Sequence, residues 1–158
     1  CAIKPHQVTL VPDAPDAITS NSGWDTVANR DFLKEVIQEF KQQGIRTSIF
    51  LDHDAAQVEA AVKTGTDRIE LYTEAYAQEY PKDPAKAIAP FVEAATKAQE
   101  VGLGLNAGPD LNLDNIAFFA QQLPGLLEVS IGHALICASL YFGLENAINQ
   151  YIANLSIP

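Results

Sequence analysis

Leu103-Gly-Leu-Asn-Ala-Gly108 and Glu128-Val-Ser-Ile-Gly132 are the two stretches that decide the fold. Each is a short apolar run that ends in glycine. Between them lies a helical stretch that Asn112 is placed to cap and Pro124 closes, so the runs read as strands, about Leu103–Asn106 and Glu128–Ile131, with side-chain-free backbone at their C-terminal ends. Upstream, Arg68-Ile-Glu-Leu-Tyr72 alternates strictly, with Ile69 and Leu71 on one face and Arg68, Glu70 and Tyr72 on the other. Arg46 to Leu51 is β-branched and apolar, and Gln7-Val-Thr-Leu-Val-Pro12 is a short run that proline ends. These are five predicted strands.

Helical signals fill the gaps. Phe32, Leu33, Val36, Ile37 and Phe40 keep helical spacing between Asp31 and Gln43, with Gly44 where a left-handed residue ends a helix. Asp54 with Gln57 three residues on resembles a capping box ahead of Val58, Ala61 and Val62, and Gly65 stops that helix. Asp83-Pro84 opens a helix striped by Ile88, Phe91, Val92 and Ala95, in which Pro90 is expected to kink the axis or delay the start. Tyr72 to Tyr80 reads as an acidic surface loop, and Leu135 to Leu155 as one long amphipathic helix.

Five strands separated by helices imply parallel pairing and an α/β class. An open doubly wound sheet would place a glycine-rich phosphate loop after its first strand, where this chain has Pro12-Asp-Ala-Pro-Asp16. The glycines instead follow the last two strands, where (β/α)8 barrels grip phosphate with backbone amides. The expectation is a single domain over residues 1–158, an incomplete TIM barrel that lacks its first three strands. The chain begins at Cys1 and contains no methionine, which points the same way.

Composition narrows the partners. The 158 residues are 47% apolar, enough for one core, and 10 Lys plus Arg against 20 Asp plus Glu give a net charge of −10 that disfavours nucleic acid. No apolar run approaches the roughly 18 residues of a membrane span, and no secretory pattern opens the chain. Cys1 and Cys137 offer neither metal-ligand spacing nor a disulfide framework, so a cytoplasmic protein is expected. Asp52-His53-Asp54 looks like a ligand cluster, but alternate residues at a strand end point apart and Asp54 serves better as a helix cap, so no metal is expected.

With these elements in place, Leu10-Val-Pro12 with Ile18-Thr-Ser-Asn-Ser-Gly-Trp-Asp25, Arg68-Ile-Glu-Leu-Tyr-Thr-Glu-Ala-Tyr-Ala77, Asn106-Ala-Gly108 and Ile131-Gly-His-Ala134 stand in an order and spacing similar to the segments around strands four, six, seven and eight of pyridoxine 5'-phosphate synthases. The form resembles that of their Bacteroidetes branch. The resemblance implies a barrel that condenses 1-deoxyxylulose 5-phosphate with 3-amino-2-oxopropyl phosphate, uses no metal or organic cofactor, and assembles into octamers. It makes Thr19 a contact of the deoxyxylulose phosphate, Glu70 the carboxylate that steadies the transition state, and Gly132 and His133 binders of the other phosphate. Read as residues alone, Thr19 could equally satisfy loop backbone groups, Glu70 could pair with Arg68, and His133 could pack or cap. Pro109 stands where the family places its proton-donating histidine. Asp110 stands where many relatives have a small phosphate-contacting residue, and its backbone N–H can still serve if the carboxylate turns away. The resemblance thus carries a second reading, a catalytically silent phosphosugar-binding or assembly domain of the same fold.

Overall fold

The computed structural model describes residues 3–156. Cys1 lies outside them; Cys137 is an exposed free thiol. Among the described residues a single sheet holds five strands, β1 (Gln7–Leu10), β2 (Arg46–Leu51), β3 (Arg68–Tyr72), β4 (Gly104–Gly108) and β5 (Leu126–Val129). All pair in parallel, and their spatial order is the chain order. A doubly wound sheet reverses its order at a switch point. This one never does, so each crossover adds the next strand to the same edge.

The register sorts the side chains onto two faces. Ile49, Ile69 and Leu105 align in one row and Leu51, Leu71 and Ala107 in another, and all six are buried in the core with the helices. The opposite face carries Thr9, Ser48, Phe50, Arg68, Glu70, Asn106 and Glu128, which is a polar surface. Arg46 on β2 donates to Glu128 Oε1 on β5 at 2.9 Å, over two intervening strands. Side chains that stand off a sheet meet at that range when it curls toward their face.

The helices are α1 (Arg30–Gln42), α2 (Ala55–Ala61), α3 (Glu74–Glu79), α4 (Pro84–Glu100), α5 (Ile116–Gln122), α6 (His133–Phe142) and α7 (Leu144–Leu155). Gly44 and Gly65 take the left-handed conformation expected after the first two. Asp54 caps α2 by accepting from the N–H groups of Ala56 and Gln57, and Asp83 caps α4 by accepting from Lys86 N. Gln57 does not reach back to complete a capping box; its Oε1 accepts from the backbone and hydroxyl of Thr26. Asn112 caps no helix directly. Its Oδ1 accepts from Asp114 N and Asn115 N in a turn one step ahead of α5.

Three sequence expectations are corrected. The final helix is two helices, because Gly143 adopts φ 80° and breaks the axis. The supposed loop at Tyr72–Tyr80 contains α3, whose short acidic sequence hides a single apolar anchor. That anchor, Tyr76, is fully buried with its ring 4.8 Å from Phe119, and its hydroxyl donates to Asn115 O at 2.8 Å. The last strand begins two residues earlier than read, since Gly125 in a left-handed turn releases the chain directly into Leu126. Pro90 lies within α4 without ending it.

The apolar face expected on the last helix is divided. Tyr151 is buried and Leu155 half-buried, while Leu144, Ile148 and Ile152 are exposed together with Leu140, Tyr141 and Phe142. None of the described helices is long and apolar enough to cross a membrane.

Tyr76 tests the core. Tyr76→Ala removes a filled ring position and should cost about 3–5 kcal/mol. Tyr76→Phe loses only the hydrogen bond and should cost about 1 kcal/mol. Urea unfolding measures both, and equal losses would mean that the ring is not the anchor.

Candidate active site

The polar face is a connected set of contacts. Arg68 donates to Asn106 Oδ1 at 3.0 Å and pairs with Glu128 Oε1 at 2.7 Å, while Arg46 donates to Gln7 Oε1 and to the same Glu128 oxygen. Both arginines are therefore held by Glu128. Glu70 is thus not paired with Arg68, and it has no arginine partner among the described residues.

Glu70 sits one row nearer the strands' C-terminal ends than Arg68 and is only 6% exposed. Thr9 Oγ1 donates to Glu70 Oε2 at 3.0 Å. Burial pushes its carboxyl above the ordinary glutamate range. The hydroxyls of Thr9 and Ser130 oppose the shift, and the charge of Glu128 adds to it. A buried carboxyl with no cation beside it is suited to meet positive charge that develops on a bound molecule.

The strand ends above Glu70 are held close together. Gly108 closes β4 so near to Ser130 that a Cβ there would stand 2.2 Å from Ser130 O, and Ser130 N donates to Ala107 O at 2.9 Å. Only glycine fits that approach. Thr73, the residue after β3, donates its N–H to Gly108 O and accepts from Asp110 N with its hydroxyl, at 3.1 and 3.0 Å. The Asp110 N–H is thus occupied, which corrects the expectation that it is available to a ligand. The Asp110 carboxyl has a buried oxygen, Oδ2, with no hydrogen-bond partner among the described residues.

After β5 the chain reaches Gly132, whose φ of −105° any residue adopts and whose Cβ position is open. Neither strain nor packing within the described residues requires glycine there. No described side chain caps α6, whose first-turn N–H groups follow Gly132 and His133. His133 is exposed and makes no hydrogen bond among the described residues, so it neither packs nor caps.

Residues 18–25 run along the C-terminal ends of β1, β2 and β3. Trp24 is tied by its N–H to Phe50 O and by Nε1 to Leu10 O, and Gly23 lies against the Leu51–Asp52 backbone, where a Cβ would meet atoms at 2.3–2.5 Å. The Tyr72 hydroxyl lies 2.9 Å from Ser20 O and 2.8 Å from Glu74 Oε2, two acceptors that share its one proton. Thr19 is exposed beside this joint and satisfies no described backbone group. Asp52, His53 and Asp54 turn to three separate partners, the Gly23 N–H, the Phe91 ring at 4.5 Å and the start of α2. Thr73, Tyr72 and Glu128 escaped the sequence reading of the site. The period-two pattern already put Glu128 on the face of Asn106, while Thr73 announces itself only by being a hydroxyl residue directly after a strand.

Fold and site define a parallel α/β protein whose buried carboxyl, bare glycines and uncapped helix start converge at the strands' C-terminal ends, the side on which enzymes of such architectures bind their ligands. The chain belongs to the family of pyridoxal phosphate biosynthesis protein PdxJ, whose model matches residues 1–156. It is 64% identical over 154 residues to a pyridoxine 5'-phosphate synthase of Parabacteroides distasonis, covering 98% of this chain and 65% of that protein. A protein of the same name from Flavobacterium johnsoniae is 62% identical, with 96% and 64% covered. The chain thus spans just under two thirds of the length of these curated relatives. Among solved structures it resembles the YdjI aldolase of Escherichia coli K12 (TM-score 0.57, 17% identity, 95% of this chain and 57% of that one). It likewise resembles the BexX/CysO complex of Amycolatopsis orientalis (TM-score 0.56, 16% identity, 95% and 55%). At those identities the likeness concerns the fold alone.

The raised carboxyl of Glu70 gives a stability test. Its folded-state value lies above the unfolded one, so its contribution is complete below the unfolded value and is lost as pH rises through the folded value. Glu70→Gln should therefore match the parent in acid and exceed its stability at pH 8. Denaturant midpoints at several pH values check this, and a variant equally destabilised at every pH would contradict it.

Proposed function

We propose that this chain is the strand-four-to-eight section of a pyridoxine 5'-phosphate synthase, a cytoplasmic enzyme that joins 1-deoxyxylulose 5-phosphate to 3-amino-2-oxopropyl phosphate and releases phosphate and water. The observation that carries the reading is the match, over nearly the whole of this chain, to relatives of that name. The site supports it chemically. Glu70 faces the mouth as a carboxylate without a counter-ion, ready to stabilise the cationic character that an amine condensing with a ketone acquires. The α6 start, with Gly132 open and no described side chain over its amides, suits a phosphate, with His133 at its rim. Thr19 stands in the segment along the ends of β1, β2 and β3, where its free hydroxyl suits the sugar phosphate.

Pro109 favours the second reading, a silent phosphosugar-binding domain, because proline has neither a titratable group nor an N–H. The exposed apolar residues of α6 and α7 fit a homo-oligomer in either case.

The decisive assay is pyridoxine 5'-phosphate formation from the two substrates by the full-length protein that carries this segment. Turnover is expected, with Glu70→Gln lowering kcat about 100-fold or more and Gly132→Ala raising KM for the phosphorylated amine. Binding of deoxyxylulose phosphate without turnover would instead establish the silent reading.

A further inference from the structure

We infer that Asp110 is the proton donor of this site, so that a carboxylic acid one residue beyond Pro109 supplies the proton that proline cannot. The inference rests on the synthase reading and assigns a residue to a step which that reading leaves unassigned.

Three observations lead to it. The backbone around Pro109 is fixed, because Thr73 holds Gly108 O through its N–H and Asp110 N through its hydroxyl. Asp110 therefore leaves the end of β4 at a set place between the β3 and β4 termini. Its carboxyl also has an oxygen, Oδ2, that is out of reach of solvent and of any described donor. In the charged form that oxygen lacks both water and a hydrogen bond, while the other oxygen, Oδ1, is not shut away in this manner. Protonation at Oδ2 therefore gives up far less solvation. Finally, the charged group that bears on this carboxyl, Glu74 at the start of α3, has the wrong sign to hold a carboxylate, and the nearby Tyr72 hydroxyl is engaged with Glu74 and Ser20 O.

Burial first and Glu74 second push the Asp110 carboxyl above the ordinary aspartate range, against the opposing pull of its own backbone N–H. A raised acid is what proton donation near neutral pH needs. In the step assigned here the O–H bond of the Asp110 carboxyl breaks and its proton passes to the substrate hydroxyl that departs as water. The electron pair of the broken C–O bond leaves with that oxygen as the lone pair of the condensing amine nitrogen forms a C=N bond at the same carbon, and the Asp110 carboxylate regains a proton from solvent through its other oxygen before the next turnover. Glu70, which already accepts from Thr9, keeps the separate task of charge stabilisation.

The test uses the full-length protein and its Asp110→Asn, Asp110→Glu, Pro109→His and Asp110→Asn/Pro109→His variants, with rates of pyridoxine 5'-phosphate formation followed across pH. In the parent, kcat should fall as pH rises through the raised Asp110 value. Asp110→Asn should lower kcat about 100-fold with little change in KM and should abolish that alkaline limb. Asp110→Glu should recover part of the rate, and Pro109→His should restore turnover to the Asp110→Asn protein, which also shows that the fold survives. Parent-like kcat with the alkaline limb intact in Asp110→Asn would overturn the inference while leaving the synthase reading standing. So would a loss confined to KM, or a loss that Pro109→His does not rescue. Folded parent and Pro109→His proteins that bind substrate yet both fail to turn over would overturn the synthase reading and this inference with it.

Discussion

Two arginines share one glutamate, and the arrangement of the polar face follows from that contact. Arg46 and Arg68 both end on Glu128 Oε1, at 2.9 and 2.7 Å, which ties β2, β3 and β5 across the concave side of the sheet. Ion pairs on a glutamate as solvent-accessible as Glu128 contribute little stability each. Their importance is in what they leave out. Because Glu128 satisfies both cations, Glu70, in the row of Glu128 and one row beyond Arg68, keeps a carboxyl that hydroxyls touch and no cation pairs. A sheet with the same strands but with Arg68 turned to Glu70 would have a neutralised pair at that position.

The strands could be read from the sequence because a parallel sheet covered by helices requires unbroken apolar rows on one face, and period-two alternation supplies them in Arg68–Tyr72 without ambiguity. The helix caps at Asp54 and Asp83 were equally local and equally legible. What failed depended on distant partners. Gln57 fits a capping box by spacing, yet Thr26, thirty-one residues away, competes for its side chain and wins. Tyr76 looks like one aromatic in an acidic stretch until Phe91 and Phe119 arrive from two other helices to enclose it.

The candidate site divides along the same line. Glu70, Gly108 and Gly132 were legible because strand ends and glycines announce themselves. The occupation of the Asp110 amide by Thr73 was not, since it joins the ends of two strands that are thirty-seven residues apart in the chain. That bond shifts attention at Asp110 from its backbone to its carboxyl, and with it from anion binding to acid chemistry.

Helix α6 buries none of its residues, and Gly143 separates it from α7, which buries Ala147 and Tyr151. Within the described residues its attachment is correspondingly slight, and segments held by so few buried contacts are the ones that open most readily under native conditions. A ligand gripped by its first turn would bind a segment that is also being ordered, and part of the binding free energy would be spent on rigidity. Affinity for such a ligand would then depend on how firmly α6 is seated as much as on the groups that touch it. A neighbouring chain resting on Leu140 or Tyr141 would tighten binding without approaching the bound molecule.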